Sequence, residues 1–260
     1  MKIVLLTNKN SLYGKMVAND LISRGIKIYS IVVISQPLGY YLKLFRFVRK
    51  RTSLADAIYF SFRYLASSLG VRTPSLWKGS RFIDDYNSLS SNIFNVRQTN
   101  SQEMVKILKD ISPDVMILGQ TGIVGGSILS IPNIGTLNAH PAILPFYRGN
   151  DGYLWAAYNN EFEKIGSSVH WVNEGVDTGD IIYTSVYNFT KREKLRELEN
   201  NLNNNAISLL SDAVYALCKK KQLPRQRQQK YSGTQYFKMP RRTENIAKQR
   251  LINFFKDKGW

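Results

Sequence analysis

An α/β fold, a mostly parallel sheet flanked by helices, is what this chain of 260 residues predicts. Short buried-strand runs recur, among them KIVLLT (2–7), IKIYSIVVIS (26–35) and DVMILG (114–119). Helical patterns separate them. The first three segments stand in strand, helix, strand order, and that spacing implies a right-handed parallel crossover. A hydrophobic content of 43% is enough to bury a sizeable core.

Each element follows from its residues. KIVLLT is a short continuous apolar run, and YGKMVANDLISRG (13–25) is a helix closed by Gly25. The turn between them, TNKNSLYGK (7–15), has neither the glycine fingerprint of a dinucleotide site nor a phosphate-loop pattern. That argues against a nicotinamide dehydrogenase and a P-loop enzyme. Residues 37–90 then break the rhythm as a helical insertion rich in Tyr, Phe, Arg and Ser, with two apolar, partly basic stretches at 40–51 and 54–69. In the first, Leu44, Phe47 and Val48 share one helical face while Lys43, Arg46, Arg49 and Lys50 lie off it. A basic amphipathic helix of this kind lies on an anionic membrane surface or packs on its own domain.

Order returns with the strand NIFNV (92–96), the helix SQEMVKILKDI (101–111) and the strand DVMILG, which runs into GQTGIVGGSIL (119–129). In open parallel sheets ligands sit beyond the carboxyl ends of strands, so this glycine-rich stretch is either a binding loop or a plain turn. Next come the strand IGTLNAH (134–140), the loop PAILPFYRGNDG (141–152), the helix GYLWAAYNN (152–160), the strand IGSSVHWV (165–172), the turn NEGVDTGD (173–180) and the strand IIYTSVY (181–187). Thr190 and Glu193 form a capping-box pattern before a long helix with Leu195, Leu198, Leu202, Leu209, Ala213 and Leu217 on its apolar stripe. A basic linker follows at 219–230, then YSGTQYFKM (231–239) as a strand or hairpin and a helix over 241–256. Composition shifts divide the chain into a domain over 1–190, holding the insertion at 37–90, and a small C-terminal helical and hairpin appendage over 191–260.

The formal net charge of +17 is clustered. Residues 43–51 (KLFRFVRKR) and 219–230 (KKKQLPRQRQQK) are basic without a single acid. Such patches concentrate anionic partners, whether nucleic acid, nucleotide-linked substrates or lipid headgroups. One cysteine, Cys218, leaves no internal disulfide, and two histidines beside it do not make a zinc site of ordinary composition. With no apolar run of membrane-spanning length and no signal-peptide pattern, a cytoplasmic protein without a metal is expected.

Chemistry concentrates in one sector. Asn138 and His140 stand two apart at a strand end and so point to one side, before two prolines that forbid helix. Asp177 follows in a turn between two strands. An imidazole shuttles protons near neutral pH, a carboxylate orients it, and an amide donates to a developing oxyanion. Together they suit attack by an amine on an acyl or formyl carbon without a protein nucleophile; taken alone, a histidine at a strand end is more often a structural one.

The segments LNAHPAILPFYRG (137–149) and SSVHWVNEGVDTGDII (167–182), separated by one helix, resemble the paired signature of the folate-dependent formyltransferases. These act on methionyl-tRNA, glycinamide ribonucleotide and amino sugars. The resemblance spans about residues 1–190, most firmly 113–186, and implies a Rossmann-like fold. It maps a catalytic triad onto Asn138, His140 and Asp177. It also implies 10-formyltetrahydrofolate as the formyl donor, held by Gly122, Ile123, Val124 and Gly125 on one side and by the turn at Asn173 on the other. Arg148 and Gly149 then carry the chain away from the cleft, and His170 supports the turn holding Asp177. The implied mechanism is direct attack by a neutral amine, with His140 and Asn138 stabilising the oxygen and Asp177 relaying the proton.

The resemblance to amino-sugar N-formyltransferases is the closer one, and it implies a nucleotide-linked or lipid-linked amino sugar as acceptor. The glycinamide ribonucleotide enzymes carry a phosphate-binding loop that TNKNSLYGK lacks, and the methionyl-tRNA enzymes a C-terminal barrel for which too little chain follows Tyr187. Both remain alternatives, as does a non-catalytic binding protein of this fold. A second copy of the chain and an anionic membrane surface, met through 40–51 on the inner face of the membrane, complete the expected partners.

Overall fold

The structure is a computed structural model that describes residues 1–68, 86, 89–90, 92–191, 194–229 and 232–259. A seven-stranded sheet runs through it. Its strands are β1 (Ile3–Asn8), β2 (Ser30–Ile34), β3 (Ile93–Val96), β4 (Val115–Gly119), β5 (Gly135–His140), β7 (Gly166–Trp171) and β8 (Ile181–Val186), in the order β3-β2-β1-β4-β5-β7-β8. The first five pair in parallel, and β7 and β8 add antiparallel neighbours.

The strands explain the layers. Alternation along each strand sends odd residues such as Ile3, Leu5, Ile31, Val33, Val115, Ile117 and Leu137 into one core. There they meet α1 (Leu12–Ser23) and α7 (Leu195–Cys218), through Val17 and Leu21 of the first and Ala206, Leu210 and Val214 of the second. Even residues such as Val4, Leu6, Val32, Met116 and Leu118 enter the opposite core, with Met104 and Leu108 of α4 (Gln102–Ile111) and Ile128 of α5 (Gly126–Leu129). Strands buried on both faces are therefore apolar throughout, which is why KIVLLT carries no polar alternation. Gly14 on α1 lets that helix approach closely: a β-carbon there would fall 1.9 Å from the Thr7 hydroxyl.

A third core joins α6 (Gly152–Tyr158), α8 (Arg241–Asp257) and the first turns of α7. Beside it β6 (Tyr147–Gly149) pairs in parallel with β9 (Thr234–Tyr236). The segment expected as a plain loop at 141–152 thus holds a strand. The strand or hairpin expected at 231–239 is that one short strand, with Tyr231 itself outside the described residues. The long helix begins at Leu195 with Lys194 at its N-cap and no side-chain cap. Glu193 of the expected capping box lies outside the described residues, so the observed start falls one turn later than Thr190 predicts. α7, assigned to the appendage by composition, lies against the sheet and shares its core.

Of the insertion at 37–90, α2 (Leu38–Arg49) and α3 (Leu54–Ser68) are described, with Tyr86, Leu89 and Ser90. Residues 69–85, 87 and 88 lie outside the described set. The two helices share a small core of Val48, Ala57 and Phe60, with Leu44 and Phe45 at its edge. The apolar face read from the sequence is therefore divided, Val48 buried against α3 and Phe47 45% exposed.

Candidate active site

After β1 the chain adds β2 and β3 on one side and then returns to place β4 on the other. Such a reversal leaves a crevice at the carboxyl ends of the strands, because the connections depart in opposite directions. A cleft of about 770 Å³ opens there. Asn8 ending β1, Ile34 ending β2, Gln120 and Thr121 after β4, and Asn138 on β5 all face it.

The polar wall is set by register. Asn138 pairs directly with His170 across β5 and β7, and Leu118 flanks it on β4. The His170 Nδ1 lies 2.8 Å from the carbonyl of Trp171. A carbonyl only accepts, so this nitrogen carries the hydrogen, and in the neutral ring Nε2 is left to accept from the Asn138 amide at 3.2 Å. One N–H of Asn138 is thereby fixed and its amide oriented. Asp177 sits in the turn after β7 in the left-handed region, φ 51°. Its Oδ1 is 3.4 Å from His170 Nε2, and its Oδ2 is 3.7 Å from His140 Nδ1 and accepts the Gly149 N–H at 2.8 Å. Burial works against the charge of this carboxyl, but His140, His170 when its Nε2 also carries a hydrogen, and the Gly149 amide outweigh it and hold its pKa well below the usual carboxylate range.

His140 is placed differently from the open position that the sequence suggests. Only 6% exposed, it stands behind the cleft wall and donates from Nε2 to the Tyr147 carbonyl at 2.8 Å. Its other nitrogen faces Asp177, so a ring protonated on both nitrogens satisfies the carbonyl and the carboxylate together.

Gly149 has a conformational reason: φ is 88°, and a β-carbon would fall 2.1 Å from the Tyr236 carbonyl oxygen. The Arg148 guanidinium reaches the Gly233 carbonyl at 3.3 Å, away from the cleft. Gly122, Ile123 and Val124 line the cleft, with Ile123 71% exposed, whereas Gly125 turns aside and its N–H goes to Asn100. Asn173 lines the cleft opposite, and its Oδ1 accepts from the Gly175 amide and the Thr178 hydroxyl, folding the turn that carries Asp177.

Sequence reading missed the other wall. Tyr40, Tyr41 and Phe47 of α2, Tyr64 of α3 and Phe237 after β9 form an aromatic side to the cleft. The Arg51 guanidinium lies between the Phe47 and Phe237 rings, 3.8 and 4.4 Å from their centroids. The tyrosine and phenylalanine content of the insertion was visible, but its direction was not. Also missed was Gln228, whose Nε2 donates to the carbonyls of Asp177 at 3.0 Å and Gly179 at 2.6 Å. Among the described residues no cluster of three or more His, Cys, Asp or Glu is disposed to hold a metal.

Comparison with known proteins identifies the family. The formyl transferase family matches residues 1–214. The methionyl-tRNA formyltransferase of Clostridioides difficile is 30% identical over 123 residues, covering 47% of this chain and 40% of that protein. The chain thus matches well under two thirds of the length of such curated relatives. Among solved structures, a sugar N-formyltransferase from Shewanella sp. FDAARGOS_354 aligns with a TM-score of 0.56 at 12% identity, covering 96% of this chain and 87% of that one. An N-formyltransferase from Helicobacter canadensis, in complex with folinic acid and dTDP-3-aminofucose, aligns at 0.55 and 14% identity, over 92% and 71% respectively. At these identities the structures speak for the fold alone; the family match extends over most of the sequence, and the chain belongs to the formyl transferase family.

Proposed function

We propose that the cleft transfers a formyl group from 10-formyltetrahydrofolate to the primary amine of a nucleotide-linked amino sugar. The observation that carries the reading is the wall itself: an oriented amide, a carboxylate held in its charged form and a histidine behind it, at the switch point of the sheet. The cleft fits a folate in size and character, since drug-sized ligands occupy roughly 300–1,000 Å³. The Gly122–Val124 loop and the Asn173 turn face it with the apolar floor of Ile34, Leu118 and Val172 between them. Bound there, the folate would supply an electrophilic formyl carbon.

The chain's own residues do the rest. Asn138 has one N–H engaged by His170 and a second to direct at the formyl oxygen, where charge develops. Asp177 stands on the wall to take the proton of the attacking amine. The proton ends on the folate nitrogen, which leaves as the formyl carbon's bond to the amine forms and its bond to the donor breaks, with the Asp177–His140 pair relaying it. Direct donation by His140 to the oxygen requires its Nε2 to leave the Tyr147 carbonyl. The aromatic side favours a nucleotide-linked acceptor, because Tyr and Phe faces stack on bases. Tetrahydrofolate release with amino-sugar nucleotides tests the reading, and release only with methionyl-tRNA would replace the acceptor while leaving the chemistry.

An anionic membrane surface is proposed as a further partner. Leu54, Ile58 and Phe62 recur every four residues along α3 and are 52, 55 and 67% exposed, and Leu42 on α2, 59% exposed, shares its face with Arg46 and Arg49. Apolar side chains edged by arginines match an anionic lipid surface, whereas a second copy would set like charges together. Sedimentation with anionic vesicles should fall several-fold after Leu54→Ser, Ile58→Ser and Phe62→Ser together. Recovery unchanged by these substitutions, or equal on neutral vesicles, contradicts it. No helix among the described residues is long and apolar enough to cross a membrane.

A further inference from the structure

We infer that Gln228 is a positioning residue for Asp177, and that the stretch after α7 is part of the reaction machinery. The inference rests on the reading of Asp177 given above. The family match ends at residue 214, and the basic composition of 219–230 reads as a solvated linker. The structure lays part of this stretch along the sheet instead. Gln226 bridges Ile181 in both directions, at 3.0 and 2.9 Å, directly after the turn that carries Asp177. Arg225 stacks on the Trp171 ring at 4.1 Å. Two residues beyond Gln226, the Gln228 amide gives hydrogen bonds to the carbonyls on both sides of Thr178, those of Asp177 and Gly179.

The chemistry of that clamp is specific. Two carbonyls can only accept, so only an NH₂ group, or another double donor, joins them. The Oε1 of Gln228 is buried without a hydrogen-bond partner, so the amide is held by its nitrogen alone. The turn it holds is one that needs holding: Asp177 is a non-glycine residue at φ 51°, and Gly179 abuts the Trp171 carbonyl so closely that a β-carbon would fall 1.8 Å from it. Asn173 ties this turn from within and Gln228 from outside. Freed on the outer side, the Asp177 carboxylate would no longer be fixed between Gly149, His140 and His170.

The experiment compares Gln228→Ala, Gln228→Glu, Asp177→Asn and the Gln228→Ala/Asp177→Asn double variant in the full chain, by kcat, KM and Tm with 10-formyltetrahydrofolate and the amine acceptor. Gln228→Glu keeps the side-chain size but turns a carboxylate on the two carbonyls, so it guards against an effect of lost volume. The proposal expects both Gln228 variants to lose kcat roughly ten- to hundredfold with KM little changed, as for a catalytic group displaced by about 1 Å. The double variant should be no slower than Asp177→Asn alone. A kcat within about twofold of the parent in Gln228→Ala, or losses that multiply in the double variant, overturns it. Near-parental activity of Asp177→Asn overturns the role of Asp177 itself, and with it any action of Gln228 through that residue.

Discussion

The two walls of the cleft are built in opposite ways. The polar wall belongs to the sheet: Asn138 and His170 face each other through strand register, His140 is 6% exposed, and Asp177 accepts the Gly149 N–H with its other carboxylate oxygen 3.4 Å from His170. The aromatic wall comes from a helical pair whose own core, among the described residues, is Val48, Ala57 and Phe60, joined to the body through contacts such as Arg51 between Phe47 and Phe237. Groups that act on the formyl centre must hold their geometry within tenths of an ångström, and the sheet supplies that rigidity. A wall that selects the acceptor needs only faces of suitable shape. On the proposed reading, reaction and recognition rest on separate parts of the fold.

The sharpest way to break this division is on the polar side. Asp177→Ala and His140→Ala should each reduce kcat by about a hundredfold or more, the usual scale for a proton-transferring group, with far-ultraviolet circular dichroism unchanged. Near-normal turnover in either would remove that residue from the mechanism. Next in size is Gly149→Val, which puts a β-branched side chain at φ 88° against the Tyr236 carbonyl. It should destabilise the chain by roughly 2–3 kcal/mol or more in denaturant unfolding and displace the amide that holds Asp177. On the aromatic side, Tyr40→Ala and Tyr64→Ala should raise the acceptor KM by about three- to tenfold while kcat changes little, because stacking contributes to ground-state and transition-state binding alike. A kcat loss comparable to that of Asp177→Ala would erase the distinction between the walls.

The smallest effect is in pH. The Asp177 pKa is depressed on folding, so its contribution to stability is fully present above the unfolded value near about 4 and is lost as pH falls through the folded value. The stability difference between the parent and Asp177→Asn should therefore be level from neutral pH to about 5 and shrink below about 4. A difference that shrinks between pH 7 and 6 would mean that the carboxyl is not held in this way.

Much of this was legible in the sequence because it is local. Continuous apolar runs such as KIVLLT announce strands buried on both faces, and Asn138 and His140 announce a polar strand end. What was not legible depends on residues distant in sequence. β6 pairs with β9 across more than eighty residues, and Gln228 reaches Asp177 across fifty-one. Neither leaves a periodicity or a motif, since a glutamine in a basic stretch carries no sign of which carbonyl it meets. The burial of His140 was hidden for a similar reason: strand alternation gives the side of the sheet, while the Tyr147 carbonyl that engages the ring comes from a loop. The basic face of α2 was visible, but the partly buried aromatic wall it shares with α3 was not.

The most direct measurement is single-turnover formyl transfer. Purified chain is mixed with 10-formyltetrahydrofolate and a panel of amino-sugar nucleotides, with tetrahydrofolate and formamide product quantified together, for the parent and Asp177→Ala. The account predicts stoichiometric formation of both products with at least one amino-sugar nucleotide and a loss of about a hundredfold or more in Asp177→Ala. Product formation that is equal in the two proteins would contradict it, as would folate binding without transfer to any amine offered, methionyl-tRNA included.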